Sequence, residues 1–266
     1  MDVNRSTYYK HFKDVPSKRS MQNQLLRSQI LDIYSSSKKR MGAYKISKRL
    51  LIEFNQKVSP GRVYRLMNSM ALPKMSTQKP PFKLTKPSPE DCTNFLNKQF
   101  NPKQPNLIWV SDFTYVKVSC DFCYVCVIID LFSRKVISYK TSSRINTQLA
   151  LDTFYYACSK RSYPKNVLFH SDRGCQYTSQ EFRKALDHAD FIQSFSAKGH
   201  PYDNAVAESF FKYLKKEELH RRTFSSIKEL NLSLFEYIEG FYNRRRPHSA
   251  NNFLSPEEKE KLFYQQ

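Results

Sequence analysis

Three acidic residues fall where a carboxylate has no structural reason to be, and they constrain the fold more than any other feature. Asp112 interrupts the apolar run IWVSDFTYVKV, and Asp172 ends the run NVLFHSD just ahead of Arg173-Gly174. Glu208 lies among small and aromatic residues in DNAVAESFFKYLKKEEL. An unpaired carboxylate is costly to bury, so such groups pair, take up a proton or hold a metal. Three brought together repel one another unless a divalent cation gathers them. In a basic chain, that combination points to metal-dependent chemistry on phosphodiester bonds.

The basic character is uneven. Of a formal charge of +20 over 266 residues, positions 1–90 contribute 19 Lys/Arg against 5 Asp/Glu, while 91–209 carry 14 against 11. The N-terminal third therefore has the electrostatic footprint of a polyanion binder, and the middle has an ordinary globular balance. No apolar run reaches transmembrane length, and the polar N-terminus carries no secretory pattern, so the expectation is a soluble intracellular protein with no membrane partner. Cys120, Cys123 and Cys126 recur every third residue, but on a strand that spacing sends successive thiols to opposite faces. They are expected to be small core residues and not a metal cluster.

Periodicity divides the chain. Residues 20–36 place Leu26, Ile30 and Ile33 on one helix face, and 43–54 do the same with Ile46, Leu50 and Phe54. Ser59-Pro60 then reads as an N-cap and first helical position, with Val63, Leu66, Met67 and Met70 inward and Arg62 and Arg65 outward. Two helices joined by a short turn, the second bearing arginines, fit a helix-turn-helix over 1–72. A basic bundle that only packs is the plainer alternative. Seven of the 13 prolines lie in 72–106, so 73–106 reads as a linker with a short helix near 89–100. Strands are expected at 107–118, 122–131, 134–141, 166–171 and 191–196. Helices are expected at 146–160, from Thr178-Ser179, and over 203–218. This describes an α/β core over 107–220: a mixed sheet flanked by helices. An amphipathic helix at 227–243 and the basic turn RRRPHS form an extension over 221–266.

Asp112 is expected mid-strand and Asp172 at a strand's C-terminal end, where open α/β sheets collect ligands. Lys212 and Lys215 follow Glu208 at i+4 and i+7, a helix face suited to a phosphate backbone. Two hard cations held by carboxylates can activate an attacking oxygen and stabilise a leaving one, which makes a protein nucleophile unnecessary.

The ordered segments WVSDFTYV, YVCVIIDLFSRKVIS, HSDRGCQYTSQEF and SAKGHPYDNAVAESFFKYLKKE resemble the catalytic core of bacterial insertion-sequence transposases related to retroviral integrases. FYNRRRPHSANNFLSPEE resembles that family's C-terminal motif, and 28–72 its preceding helical region. Thirty-five residues separate Asp172 from Glu208, the spacing of such Asp-Asp-Glu enzymes. The likeness is to the downstream reading-frame product of elements that fuse two frames by ribosomal slippage.

The resemblance implies a ribonuclease H-like fold with Asp112, Asp172 and Glu208 as catalytic metal ligands for Mg²⁺, with Mn²⁺ as a substitute. It also implies cleavage of double-stranded DNA at element ends and transfer of the freed 3′-hydroxyl into a target strand. A homo-oligomer on paired ends, a nucleoid-associated cytoplasmic location and an upstream reading-frame partner complete the expectation, since MDVNRSTYYKHF reads as starting inside a longer architecture. Lys215 matches a basic position of the family expected at terminal DNA, and Lys198, Asp203 and Asn204 belong to the motif before the helix. From the residues themselves, Lys198 suits a phosphate, and Asn204 either DNA or the helix start.

Further DNA contacts are expected from Arg244, Arg245 and Arg246. Asp130 is read as a turn acid or a partner of Arg134 ahead of a fourth ligand, and His170 as a satisfied strand-end histidine ahead of a proton shuttle. Arg173 suits a carboxylate or a phosphate, and Tyr177 and Tyr202 suit either base stacking or packing. A nuclease without strand transfer and a DNA-binding regulator with a degenerate core remain the competing functions.

Overall fold

The computed structural model describes residues 17–72, 92–197 and 201–265, with backbone only at 201 and 202. The chain forms two compact units, Met1–Lys74 and Met75–Gln266. The first holds three helices: α1 (Lys18–Ser36), α2 (Ala43–Phe54) and α3 (Pro60–Ser69). Their apolar stripes meet, burying Leu26, Ile30 and Ile33 against Ile46, Leu50, Val63, Leu66 and Met67. Ser59 caps α3 by accepting from the Arg62 N–H, with Pro60 at the first turn. Phe54, expected inward, is instead 39% exposed: α2 stops there, and Asn55 turns the chain away through a left-handed conformation.

The second unit is built on a five-stranded sheet ordered β3-β2-β1-β4-β5. Its strands are β1 (Ile108–Val118), β2 (Asp121–Asp130), β3 (Val136–Ser142), β4 (Val167–Ser171) and β5 (Phe191–Phe195). The first three run antiparallel, and β1–β4 and β4–β5 pair in parallel. Parallel pairing requires crossover segments. These are α4 (Thr147–Lys160) before β4, and the short α5 (Cys175–Thr178) with α6 (Gln180–His188) before β5. The helices cover one face, where Trp109, Phe154, Phe169, Tyr177, Phe182 and Phe191 form an aromatic core. This is the mixed α/β architecture of the ribonuclease H-like class, joined to a helix-turn-helix-like unit.

After a 3₁₀ turn at Pro201–Asn204, α7 (Ala205–Glu217) packs against β1. Then α8 (Ile227–Phe235) widens into a π-helical stretch at Glu236–Tyr242, and α9 (Pro256–Tyr264) follows.

The C-terminal segment is fastened into the core by buried polar bonds. Asn243 brackets Val136 of β3, accepting from its N–H at 3.0 Å and donating to its carbonyl at 2.9 Å. Glu260 accepts from Ser133 and pairs with Arg161 and Lys135. Arg246, expected in a DNA groove, is 1% exposed and forms a two-pronged pair with Glu217 of α7, at 2.8 and 2.9 Å. Tyr237 donates to the same carboxylate, and the guanidinium lies 4.1 Å from the Tyr213 ring centre. A guanidinium with its fork occupied in the interior has no donor to offer a phosphate, so the DNA role expected of Arg246 is corrected.

Two further expectations change. Residues 92–100 form no helix; Thr93 O accepts from Phe195 N, and Ser194 Oγ accepts from the N–H groups of Phe95 and Leu96. The edge of β5 thus finds partners in what reads as linker. Asp130 is buried and has the turn role expected of it, accepting from the N–H groups of Phe132 and Asn106 with its side chain and of Arg134 with its carbonyl, but its ion-pair partner is Arg161 at 3.7 Å, not Arg134. Arg134 instead donates to Leu131 O and Asn101 Oδ1.

Breaking a buried ion pair from one side strands the other charge, at a cost of about 3–5 kcal/mol. Arg246→Ala is therefore expected to lower unfolding free energy by about that amount, and Arg246→Met combined with Glu217→Met to recover most of it. Chemical denaturation of both variants checks this, and a single-variant loss under about 1 kcal/mol refutes it.

Candidate active site

The sheet register brings the first two acids together. Val110 pairs with His170 across the parallel β1–β4 ladder, so Asp112 and Asp172 lie the same two residues beyond that pair on neighbouring strands. Alternation turns Ser111 toward the aromatic core and Asp112 to the opposite side. Ser111 Oγ donates to Val127 O at 2.9 Å, leaving its oxygen to accept from the Tyr177 hydroxyl at 2.7 Å. The residue before Asp112 is thereby pinned. Tyr177 is fully buried among Phe113, Phe169 and Phe182, so packing and not base stacking is its role.

Asp172 follows the last residue of β4, and its Oδ1 accepts from Gly174 N at 3.0 Å. A β-carbon at position 174 would lie 3.0 Å from that same Oδ1 and 2.9 Å from Gln176 Oε1. A side chain at 174 would therefore crowd the Asp172 carboxylate and the Gln176 amide, which glycine leaves in place. Arg173 donates to the carbonyls of Ser196 and Cys92, tying the end of β4 to β5 and to the segment before β1. His170 is buried between Ser194 Oγ and Ser196 Oγ, and burial lowers its pKa to about 4. It is a neutral structural histidine.

Glu208 stands in the first turn of α7. The start of that helix is moored to β1, because Asn204 Nδ2 donates to Ser111 O at 3.2 Å. The Asn204 side chain makes no capping bond, so neither a cap nor an exposed DNA contact describes this buried residue. Asp203 ties the end of β5 to the segment before β1, accepting at 2.8 Å from both Ala197 N and Asn94 Nδ2. Asn94 and Ser111 had no sequence pattern to mark them. Lys198 and His200 lie outside the described residues, as does the Tyr202 side chain.

The three carboxylates share one electrostatic environment. Burial raises Asp112 to about 8, with the charges of Asp172 and then Glu208 adding to it, against the pull of the Phe113 N–H and Lys215. Asp172 reaches solvent at the rim, yet the surrounding protein still raises its carboxyl, and partial burial does the same for the exposed Glu208. Lys215 lies with its ammonium 5.0 Å from the Tyr115 ring centre, and Lys212 is exposed. Among the described residues, no three acidic, histidine or cysteine side chains enclose an ion as they stand. The donor chemistry nevertheless fits a hard divalent cation. Burial first, and then the charges of Asp172 and Glu208, favour a proton on Asp112; a cation beside it opposes both, and carboxylate oxygens are its preferred ligands.

Of the remaining expected contacts, Arg244 and Arg245 are exposed. Arg62 does not point freely outward: its guanidinium donates to Gln22 Oε1 and Asn23 Oδ1, tying α3 to α1. Arg65 is exposed.

Residues 102–201 and 190–256 match the integrase core domain, and 21–80 match an HTH-like domain. The transposase for insertion sequence element IS904 of Lactococcus lactis is 35% identical over 247 residues, spanning 92% of this chain and 97% of that protein. The chain belongs to the insertion-sequence transposases. Transposase InsF for insertion sequence IS3A of Escherichia coli is 36% identical over 246 residues, covering 91% of this chain and 84% of that one. Among solved structures, a simian T-cell lymphotropic virus intasome in complex with a PP2A regulatory subunit aligns with 87% of this chain and 74% of that chain, at 16% identity and a TM-score of 0.48. A transposase with an integrase core is a polynucleotidyl transferase.

The raised Asp112 gives a pH signature to the metal-free transposase. Between about 4 and about 8 the native state holds a proton on Asp112 that the unfolded chain has released, so this group's contribution to stability falls as pH rises through that window. Asp112→Asn is expected to flatten that decline, measured by thermal unfolding in chelator from pH 5 to 8. Parallel curves for the two proteins would exclude the shift.

Proposed function

We propose that Asp112, Asp172 and Glu208 are the catalytic carboxylates of this transposase, holding Mg²⁺ (or Mn²⁺ in its place). The observation that carries this reading is the parallel β1–β4 register, which puts Asp112 and Asp172 the same two residues beyond the Val110–His170 pair, with the raised Asp112 pKa in support. When bound, such ions activate an attacking oxygen and stabilise the leaving one. The chain's own residues supply the rest. The β1–β4 register sets Asp112 beside Asp172, Asn204 moors the Glu208 helix, and Lys215 places a positive charge where a scissile phosphate would lie against β1. Water attacks first to free a 3′-hydroxyl at each element end, and that hydroxyl then attacks a target phosphodiester. Neither step calls on a side-chain nucleophile.

The same reading assigns 1–72 to DNA recognition with Arg65 on its exposed side, 73–106 to the connection, 107–220 to catalysis and 221–266 to buttressing. Lys198, Lys212, Arg244 and Arg245 are assigned to phosphates. Both reactions act on paired ends of double-stranded DNA, so the working form is a homo-oligomer, with an upstream reading-frame product as a further partner. No described helix is long and apolar enough to cross a membrane; the proposed place of action is the cytoplasmic nucleoid.

Incubating the protein with labelled DNA of its element's ends, target DNA and Mg²⁺ tests the proposal. Joined products are expected, and single Ala substitutions at Asp112, Asp172 or Glu208 should reduce them by at least about a thousandfold while DNA retardation persists. Nicked products alone would indicate a nuclease, and retarded but intact DNA a regulator. Arg65→Ala should weaken retardation and lower its salt dependence by about one counterion. Arg62→Ala should chiefly lower the thermal stability of the helical unit; the reverse pattern would interchange the two roles.

A further inference from the structure

A polar recess lies along the outer strand of the sheet, beyond the point where Asn243 brackets Val136. It is a groove of about 480 Å³ between the C-terminal end of α4, the outer strand β3 and the π-helical stretch, bordered by Lys140, Tyr156, Lys160, Glu239 and Arg244. Three cations thus face a single carboxylate. Lys140 and Lys160 both lie over the Tyr156 ring, at 4.4 and 5.4 Å, and the ring is itself exposed. Lys160 pairs with Glu239 at 3.9 Å and Arg244 with Glu257, outside the groove, at 3.4 Å, and the groove lining itself keeps three cations to one acid. Gly240 leaves the π-helical wall open, with nothing within 4 Å of where its β-carbon would stand.

Register places the groove at the sheet edge. Asp112 pairs with Val127 and Val127 with Tyr139, which lines the recess, whereas Lys140, in register with Cys126 and Phe113, belongs to the opposite face that α4 covers. The recess therefore wraps the outer strand, with its lysines on the face away from Asp112.

We propose that this groove is a non-catalytic subsite for the phosphodiester backbone of a DNA strand. Lys140, Lys160 and Arg244 contact phosphates, and the Tyr156 face receives a sugar or base. Two lysines held over an exposed aromatic ring, with an arginine beside them and one groove carboxylate, suit a ligand that is at once anionic and planar. This rests on the transposase reading for the identity of the ligand as DNA. It gives Arg244 a defined place on the sheet edge, distinct from the structural Arg246. The competing occupant of this edge is a strand from a second copy, which a lysine on the edge strand disfavours.

The test is fluorescence anisotropy of a labelled duplex with the full-length protein in chelator, across a series of salt concentrations. For Lys140→Gln combined with Lys160→Gln, the slope of log affinity against log salt should fall by about 0.9 for each phosphate left unneutralised. Affinity near 100 mM salt should fall on the order of tenfold. Glu239→Gln should act oppositely and bind several-fold tighter, a gain that loss of folding cannot mimic. If the wild type binds DNA and both variants match it, the subsite is refuted while the transposase reading stands. A wild type with no affinity for DNA refutes that reading and the subsite with it. A concentration-dependent dimer that the double variant fails to form, with DNA binding unchanged, assigns the edge to a second copy and overturns the proposal.

Discussion

The buried pair between Arg246 and Glu217 holds the catalytic unit to its C-terminal segment. Both groups are withdrawn from water, which would be prohibitive for either alone, and each satisfies the other through two charge-assisted bonds. Glu217 ends the helix that Glu208 begins. The far end of α7 is thus clamped from the C-terminal segment, while its near end is moored through Asn204 to β1. A helix fixed at both ends cannot slide along the sheet. For a site whose third acid arrives on a separate element, that immobility determines whether the acid faces Asp112. The pair is thus better understood as fixing alignment than as adding net stability.

The active-site strands are prepared differently. Asp112 and Asp172 face one another through backbone register, which no side chain can alter without disrupting the ladder. Ser111, tied to Val127 and Tyr177, and Gly174, cleared for the Asp172 oxygen, refine their aim. The result is a set of carboxyl groups carried on separate fixed elements. Without a cation, burial and neighbouring charge favour a proton on Asp112, which a metal ion would have to displace.

Much of this was legible in the sequence because it is written in periodicity. Apolar alternation located the strands of the sheet to within about two residues, and Ser59-Pro60 marked the start of α3. The acids stood out for the same reason: each breaks a pattern. What escaped was whatever depends on partners distant in sequence. Arg246 looks identical to Arg244 and Arg245 in the run RRRPHS, and only the arrival of Glu217, itself disguised in KKEEL, separates a core residue from two exposed ones. Arg62 followed the helical outward phase, yet two side chains of α1 claimed it. Prolines made 92–106 read as linker, whereas an unsatisfied sheet edge recruited part of it.

The widened turn at Glu236–Tyr242 has a consequence for how this chain can vary in length. Asn243 N donates to Ile238 O, five residues back, and its side chain then brackets Val136. Removing one residue would restore ordinary winding and swing Asn243 about 100° around the helix axis, detaching it from β3. Loops elsewhere can absorb insertions and deletions, but here the number of residues is as fixed as the tooth count of a gear.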